Sequence, residues 1–395
     1  MKHLKIILTI ATLLNLVSLD IFAQKDNPTQ TPKYTVYSKN KYKQNPKHTW
    51  SWFSRKRYYS IGGGINAMNY FGDITPQSSF TSFDVKFTRM NFGLYVQRRL
   101  YPGVTGRVAF SYGRVKGADE ETVKPGGNNW DRNQYRYIRN LSFRNDIFEL
   151  SAVGLFDLVK NRGVFYQRPK RIIPYLLAGV AVFYQNPKAI APQQDQLGNQ
   201  LAEAGEWVAL QPLGTEGQGY DGYSRYNLQV NDTVNWGGGS RYSKIQIAFP
   251  LGFGLRYKLS SRWDISFEIA YRFLITDYLD DVSKSYVDLG VFGDNNLARA
   301  LSDRSLENGR VDNLRSVVTD GVRESVLVPY TYIGVDGRQY TTLTGFGNDQ
   351  YIDNIRGNVS DRDTYIVTGF HVSYIMPGQV RCPEPFKKIF RRHRL

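Results

Sequence analysis

The chain has 395 residues, a formal net charge of +16, 14% aromatic residues, four histidines and one cysteine, Cys382. One cysteine excludes an intramolecular disulfide framework, and so few His and Cys leave no visible zinc site. Mean hydropathy is -0.43, and after the first residues no apolar run reaches the roughly 20 residues of a spanning helix, which excludes a helical membrane bundle.

Met1 to Lys5 is a basic n-region, Ile6 to Leu19 an apolar h-region, and Ile21-Phe22-Ala23 precedes Gln24 as a small-residue cleavage site. Residues 1–23 therefore read as a secretory signal peptide cut after Ala23. The next stretch, 24–56, is a basic leader in which Lys25, Lys33, Lys39, Lys41, Lys43, Lys47, Arg55 and Lys56 face one acid, Asp26. From Arg57 onward, eight apolar segments follow, at about 57–71, 87–100, 105–116, 145–158, 171–184, 243–257, 262–275 and 364–376. Each has about the ten or more residues of a tilted spanning strand. Their connections alternate between long loops and short turns such as Tyr101-Pro102-Gly103, Asn161-Arg162-Gly163 and Lys258 to Arg262. An even strand count with short turns on one side describes an all-β fold, an eight-stranded antiparallel transmembrane outer-membrane β-barrel over 57–376 with long extracellular loops near 185–242 and 276–363.

The alternation also predicts facing. In the seventh segment Ile265, Phe267, Ile269, Tyr271 and Phe273 point to lipid, and Asp264, Ser266, Glu268, Ala270 and Arg272 into the lumen. The sixth repeats this with Ile245, Ile247, Phe249, Leu251, Phe253, Leu255 and Tyr257 outward, and the eighth with Ile366, Phe370, Val372 and Tyr374 outward against His371 and Ser373. The fifth, Tyr175 to Tyr184, is apolar on both faces, so its facing is open. Tyr59, Tyr101, Tyr166, Tyr257, Trp263 and Tyr374 lie beside the short turns or barrel ends and form one aromatic girdle. A barrel this narrow is filled by side chains. The lumen candidates Arg99, Glu149, Lys244, Arg256, Asp264, Glu268, Arg272 and His371 carry both signs, which predicts a salt-bridged plug rather than an open pore.

An even strand count places both mature termini in the periplasm. Residues 377–395 form a second basic tail, with Arg381, Lys387, Lys388, Arg391, Arg392 and Arg394 against Glu384. Lys39, Lys41, Lys43, Lys387, Lys388, Arg391 and Arg392 are the candidate partner-binding residues. In that compartment the counter-charges are an acidic protein or phospholipid headgroups rather than nucleic acid, or the tails are solvated flanks.

Several strings carry a resemblance: RYYSIGGGINAMNYFGDITP from Arg57, NLSFRNDIFELSAVGLFDL from Asn140, PYLLAGVAVFYQNPKA from Pro174, ALQPLGTEGQGY from Ala209 and DYLDDVSKSYVD from Asp277. Together they resemble the outer-membrane barrel family that includes PorG, a component of the type IX secretion apparatus, over roughly residues 57–376. The resemblance implies an eight-stranded, non-enzymatic barrel in outer-membrane lipid whose periplasmic side meets secretion-ring proteins. The loops near 185–242 and 276–363 depart from its compact members, which leaves a paralogue with a surface role open.

Catalytic chemistry has one candidate. His371 and Ser373 at i and i+2 share a face and resemble the His-x-Ser of small outer-membrane lipid deacylases, yet a hydrolase also needs an orienting third group, and the expected inward facing removes the pair from lipid. Asp277, Asp280 and Asp281 are oxygen ligands at irregular spacing, without an EF-hand pattern, and read as solvated loop acids ahead of a Ca²⁺ site. Gly237-Gly238-Gly239-Ser240 lacks the lysine of a phosphate loop and reads as flexible linker. The expectation is therefore no catalytic residue, cofactor or metal, with a secretion anchor set against a surface adhesin or ligand receptor acting through the long loops and, third, the His371/Ser373 hydrolase; the sequence leaves a small-molecule ligand unknown.

Overall fold

In a computed structural model describing residues 57–74, 88–122, 130–159, 168, 170–227, 232–307, 317–319, 324–326, 329–347, 355–358 and 362–376, all eight segments become long strands. They are β1 (Tyr59–Phe71), β2 (Arg89–Tyr101), β3 (Val104–Ala118), β4 (Ser142–Asp157), β5 (Ile172–Tyr184), β10 (Ile245–Lys258), β11 (Trp263–Leu274) and β16 (Thr364–Ile375). Each pairs antiparallel with its neighbour in the order β1-β2-β3-β4-β5-β10-β11-β16, and β16 returns to β1 along the register Ser60↔Ile375 to Phe71↔Thr364. Closure leaves none of these eight strands with an unpaired edge, as hydrocarbon requires. The pairing of β2 with β3 skips Leu100 near the turn, and that of β5 with β10 has a gap where partners run to Ala248 and resume at Leu251. Pro250, which has no amide hydrogen to give, stands in that gap.

The period-2 pattern sets the outer face. Ile245, Phe249, Leu251, Phe253, Ile269, Phe370 and Val372 are all exposed, and with Ile65, Leu94, Phe110, Leu150 and Val180 they form an apolar belt around the barrel. Such a belt faces hydrocarbon. Ile366 has the same outward parity yet is only 8% exposed. The open question of β5 is resolved: Ile173, Tyr175, Leu177, Ala181 and Phe183 are buried in the lumen, while Ile172, Val180, Val182 and Tyr184 are exposed. Its inward side chains build apolar clusters with Val153, Leu155 and Ala270 and, higher up, with Ile147, Ala248 and Tyr365. Apolar residues on both faces of β5 thus belong half to lipid and half to the lumen filling. The glycines of β1 admit this filling, since a Cβ at Gly62 would stand 2.6 Å from the Tyr95 ring and one at Gly64 2.4 Å from His371 Nδ1.

At one end the connections are short. Gly103 turns β2 into β3 at φ 93°, and the amides of Leu259 and Ser260 both donate to Trp263 O to close the β10–β11 turn. Tyr59, Tyr101, Tyr257 and Trp263 are exposed at this end, and Trp263 packs on Tyr374 at 5.0 Å, giving the expected girdle. Tyr166, the Asn161-Arg162-Gly163 turn, the signal segment and both basic tails lie outside the described residues.

The opposite end carries a folded crown. The β3–β4 connection holds two helices, α1 (Asp119–Thr122) and α2 (Trp130–Arg139). The two longer loops supply the short strands β6 (Pro187–Ile190), β7 (Trp207–Ala209), β8 (Tyr223–Asn227) and β9 (Asp232–Trp236). They also supply α3 (Asn296–Ser302), the hairpin β12 (Val317–Thr319)–β13 (Glu324–Val326) and the hairpin β14 (Pro329–Ile333)–β15 (Gln339–Leu343). The crown has its own cores, one of Val287, Leu289, Phe292, Ala298, Tyr332 and Tyr340 and a second of Ala189, Leu210 and Leu301. The expected flexible linker is corrected here. Gly237, Gly238 and Gly239 all have positive φ, which favours glycine, and the Gly217 carbonyl accepts from Gly238 while the Gly239 carbonyl accepts from Gly219, so the segment is held by backbone bonds.

Candidate functional site

Charged residues enter the lumen because every second position on β3, β4, β10 and β11 points inward, and there each finds an opposite charge. Near the short-turn end Arg168 holds Asp264, with its second terminal nitrogen donating to Ser260 O and Ser261 O at 3.2 and 3.3 Å. Beside it Arg256 pairs with Asp157 at 3.2 Å and lies over the Tyr175 ring. At mid-barrel Arg107 grips both Glu268 oxygens at 2.8 and 2.9 Å, and Tyr175 donates to the same carboxylate at 2.5 Å. Above, Glu149 accepts from Arg272 at 3.3 Å and from the Tyr365 hydroxyl at 2.6 Å. These stacked pairs are the expected plug. Between the two upper layers is a cavity of only about 50 Å³, lined by Asn66, Asn91, Arg107, Glu149, Glu268 and His371 among others. That volume admits a few waters and no solute stream.

Arg256, Asp264, Glu268, Arg272 and Glu149 are thus where the alternation put them, all paired. Arg99 is buried against the Tyr58 ring, and Lys244 stands half-buried just before β10. Sequence reasoning missed Arg107, Asp157, Arg168, Tyr175 and Tyr365. The inward parity of Arg107 with Thr105 and Ala109 on β3 was available as a signal; Arg168, in a turn, had none. His371 and Ser373 do face the lumen, where His371 Nε2 is 3.8 Å from Glu268 and Ser373 is 4% exposed. His371 Nδ1 has no hydrogen-bond partner, so no bond joins it to Ser373.

A second constellation closes the barrel at the crown end. Tyr70, the last inward residue of β1, sets its hydroxyl 2.5 Å from Asp280 and 2.8 Å from Asp363. One hydroxyl proton cannot serve two carboxylates, so the second contact takes a proton from a carboxyl group. Burial pushes Asp280 well above the usual carboxylate range, with repulsion from Asp73 adding to it, and burial does the same to Asp363, reinforced by Asp280 and Asp277. Asp277, half-buried, is pushed up by burial to about 7. Asp281 is pushed up by burial to about 6 against the pull of Arg356, and it accepts from Thr215 and Tyr242 at 2.6 and 2.5 Å. The expectation of solvated loop acids is therefore corrected, since Asp280 and Asp281 are 1% and 0% exposed. Among the described residues no group of three or more acidic, His or Cys side chains is placed to hold a metal ion.

Two arginines complete this latch. Arg139 on α2 binds Asp119 through two bonds of 2.7 and 2.8 Å and donates to the carbonyls of Asp73 and Arg356. Arg356 donates to Glu216 at 3.0 Å and to the Asp281 carbonyl at 2.8 Å, while the amides of Ser283 and Lys284 also bond Glu216. Asn145 on β4 ties in by donating to Leu279 O and accepting from the Asn186 amide. All five strings singled out in the sequence meet here: Tyr70-Phe71-Gly72-Asp73, Asn145, Asn186, Thr215-Glu216 and Asp280-Asp281 are neighbours in one network that fastens the crown to the barrel mouth.

No family model and no curated protein matches the chain. Solved structures similar to it include Neisserial surface protein A, at 8% identity and TM-score 0.30 over 80% of this chain and 96% of that one. Others are OprG of Pseudomonas aeruginosa, at 8% identity and TM-score 0.30 over 81% and 97%, and a major outer-membrane protein of Thermus thermophilus, at 10% and 0.32 over 81% and 99%. The strand order, the closure of β16 on β1 and the apolar belt, rather than these distant similarities, make the chain an eight-stranded antiparallel membrane β-barrel of the outer-membrane type, with a crown on one end.

Proposed function

We propose that this is a non-enzymatic outer-membrane barrel that anchors or assembles a periplasmic protein-secretion complex of the type IX kind, with its short-turn end and both basic tails in the periplasm. The observation that carries this reading is the sealed lumen. With ion pairs in stacked layers and a cavity of about 50 Å³, function belongs to the two ends of the barrel. β1 begins and β16 ends at the short-turn end, so the leader and the tail continue from one rim, and two weak contacts to one partner combine at high effective concentration. Replacing Lys39, Lys41, Lys43, Lys387, Lys388, Arg391 and Arg392 with Gln should leave the barrel folded, remove co-purification with periplasmic ring proteins and lower export. Full export and salt-independent co-purification by the folded variant would sink the reading.

The crown favours a second reading, a surface adhesin or receptor. Loops that only joined strands would not need cores of their own around Leu289 and Leu301. Deleting crown segments while keeping the tails should spare export under the first reading and abolish surface binding under the second.

A further inference from the structure

At the short-turn rim the described acids are Asp157 and Asp264, and both turn inward to Arg256 and Arg168 with side chains 4% exposed. The charges left facing out are cations, and they are unevenly placed. Arg98 lies on β2 over the Tyr59 ring, whereas the exposed Arg171 and Arg262, with half-buried Lys258 near them, gather at the adjoining ends of β5, β10 and β11. Backbone bonds hold them there. The Lys258 amide donates to Arg171 O at 2.7 Å, the Ile375 amide donates to Arg262 O at 2.7 Å, and the turn between Lys258 and Arg262 is locked by its two bonds to Trp263 O. Arg168 stiffens the same turn from inside by donating to Ser260 O and Ser261 O. Lys258 spends one donor on Arg168 O at 2.9 Å and has two left.

The surface around these cations is apolar. Ile172, Tyr257, Leu259 and Trp263 are 55%, 42%, 60% and 45% exposed, so the lipid-facing belt continues down to the level of the charges. An acidic protein face meeting the rim from water would cover the cations but not a belt that looks sideways into the membrane. A phospholipid covers both, with acyl chain on Ile172 and Trp263 and headgroup at the guanidinium groups. Aromatic residues and long basic side chains together mark this depth of a bilayer.

We propose that the rim formed by the ends of β5, β10 and β11 is a binding surface for anionic phospholipid headgroups, with Arg171 and Arg262 as the phosphate-facing cations and Trp263 beside the chain. Such a site selects net-negative lipids over zwitterionic ones, because each cation near an anionic lipid surface strengthens attraction about fivefold. It is built from strand ends and turns rather than from the two tails, and it does not depend on the secretion reading.

The test uses the full chain in nanodiscs and fluorescence quenching by brominated lipids, with Trp263→Phe as the subtraction that isolates Trp263. Brominated phosphatidylglycerol should quench Trp263 more than brominated phosphatidylcholine at equal mole fraction. Arg171→Gln with Arg262→Gln should cut that preference by about fivefold or more, while the Gln-substituted tails should leave it intact. Equal quenching in the parent chain overturns the proposal, and so does a preference that survives the double variant or is lost with the tails. If equal quenching is accompanied by rim-dependent capture of a poly-glutamate peptide, the surface fits an acidic protein instead. Should the double variant fail to fold, raising salt from ~0.05 M to ~0.5 M on the parent decides, since that shortens the Debye length severalfold; a preference that does not fall with salt overturns the site.

Discussion

Glu268 and Ile269 are adjacent in sequence and live in opposite solvents. Glu268 accepts from Arg107 and Tyr175 in the lumen, and Ile269 is 42% exposed on the apolar belt. Ile269→Arg puts a charge against hydrocarbon and should destabilise by about 2–4 kcal/mol if the site is near the bilayer midplane. Glu268→Gln leaves the buried Arg107 without its counter-charge and should cost about 3–5 kcal/mol, although no lipid contact changes. Ser266→Arg, which faces the crowded lumen, should act through packing. Heat-modifiable gel mobility and denaturant midpoints read all three, and wild-type values for Ile269→Arg would mean that the facing is wrong.

Among the elements, the latch between barrel and crown is the one that senses pH. Asp277 and Asp281 have folded values of about 7 and about 6, and Asp280, Asp363 and Asp73 are raised as well, all chiefly by burial. A free aspartate titrates near 4. The closed latch therefore holds protons that an opened one releases. This contribution to stability is whole below about pH 4 and declines as pH rises through about 6 to 7. Arg139, Arg136, Arg356 and Glu216 face the cluster from α2 and the loops, the arginines stay charged throughout this window, and the groups raised into it are the aspartates. Crown unfolding, followed by Trp207 and Trp236 fluorescence, should shift to lower temperature between about pH 5 and about pH 8. Asp277→Asn should flatten the shift. A midpoint independent of pH would show that the carboxyls are not proton-bound in the closed crown.

For the molecule as a whole, the asymmetry between a rim of short turns and a crown with cores predicts sidedness. A tag inserted at Asn199, exposed in the crown, should be reached by antibody on intact cells, and one at Ser260 in the β10–β11 turn should be reached only after the envelope is permeabilised. Surface labelling at Ser260 would reverse the orientation on which both tail docking and the rim's lipid site depend.

Strand number, strand bounds and the inward or outward facing of β10, β11 and most of β16 were legible from residue order, because side-chain direction in a strand alternates locally with period 2. β5 was not, since a run such as Tyr175-Leu176-Leu177-Ala178 has no polar face to orient it, and its packing against Val153 and Ala270 decides the matter. The lumen charges were visible singly, but their partners were not. Arg107 and Glu268 are 161 positions apart, and Tyr70 and Asp363 are 293 apart. Local pattern is silent about such distances; barrel closure brings these groups together. For the same reason Asp280 and Asp281 read as wet loop acids in the sequence and are dry latch residues in the fold, because burial is a property of what the rest of the chain stacks on top of them.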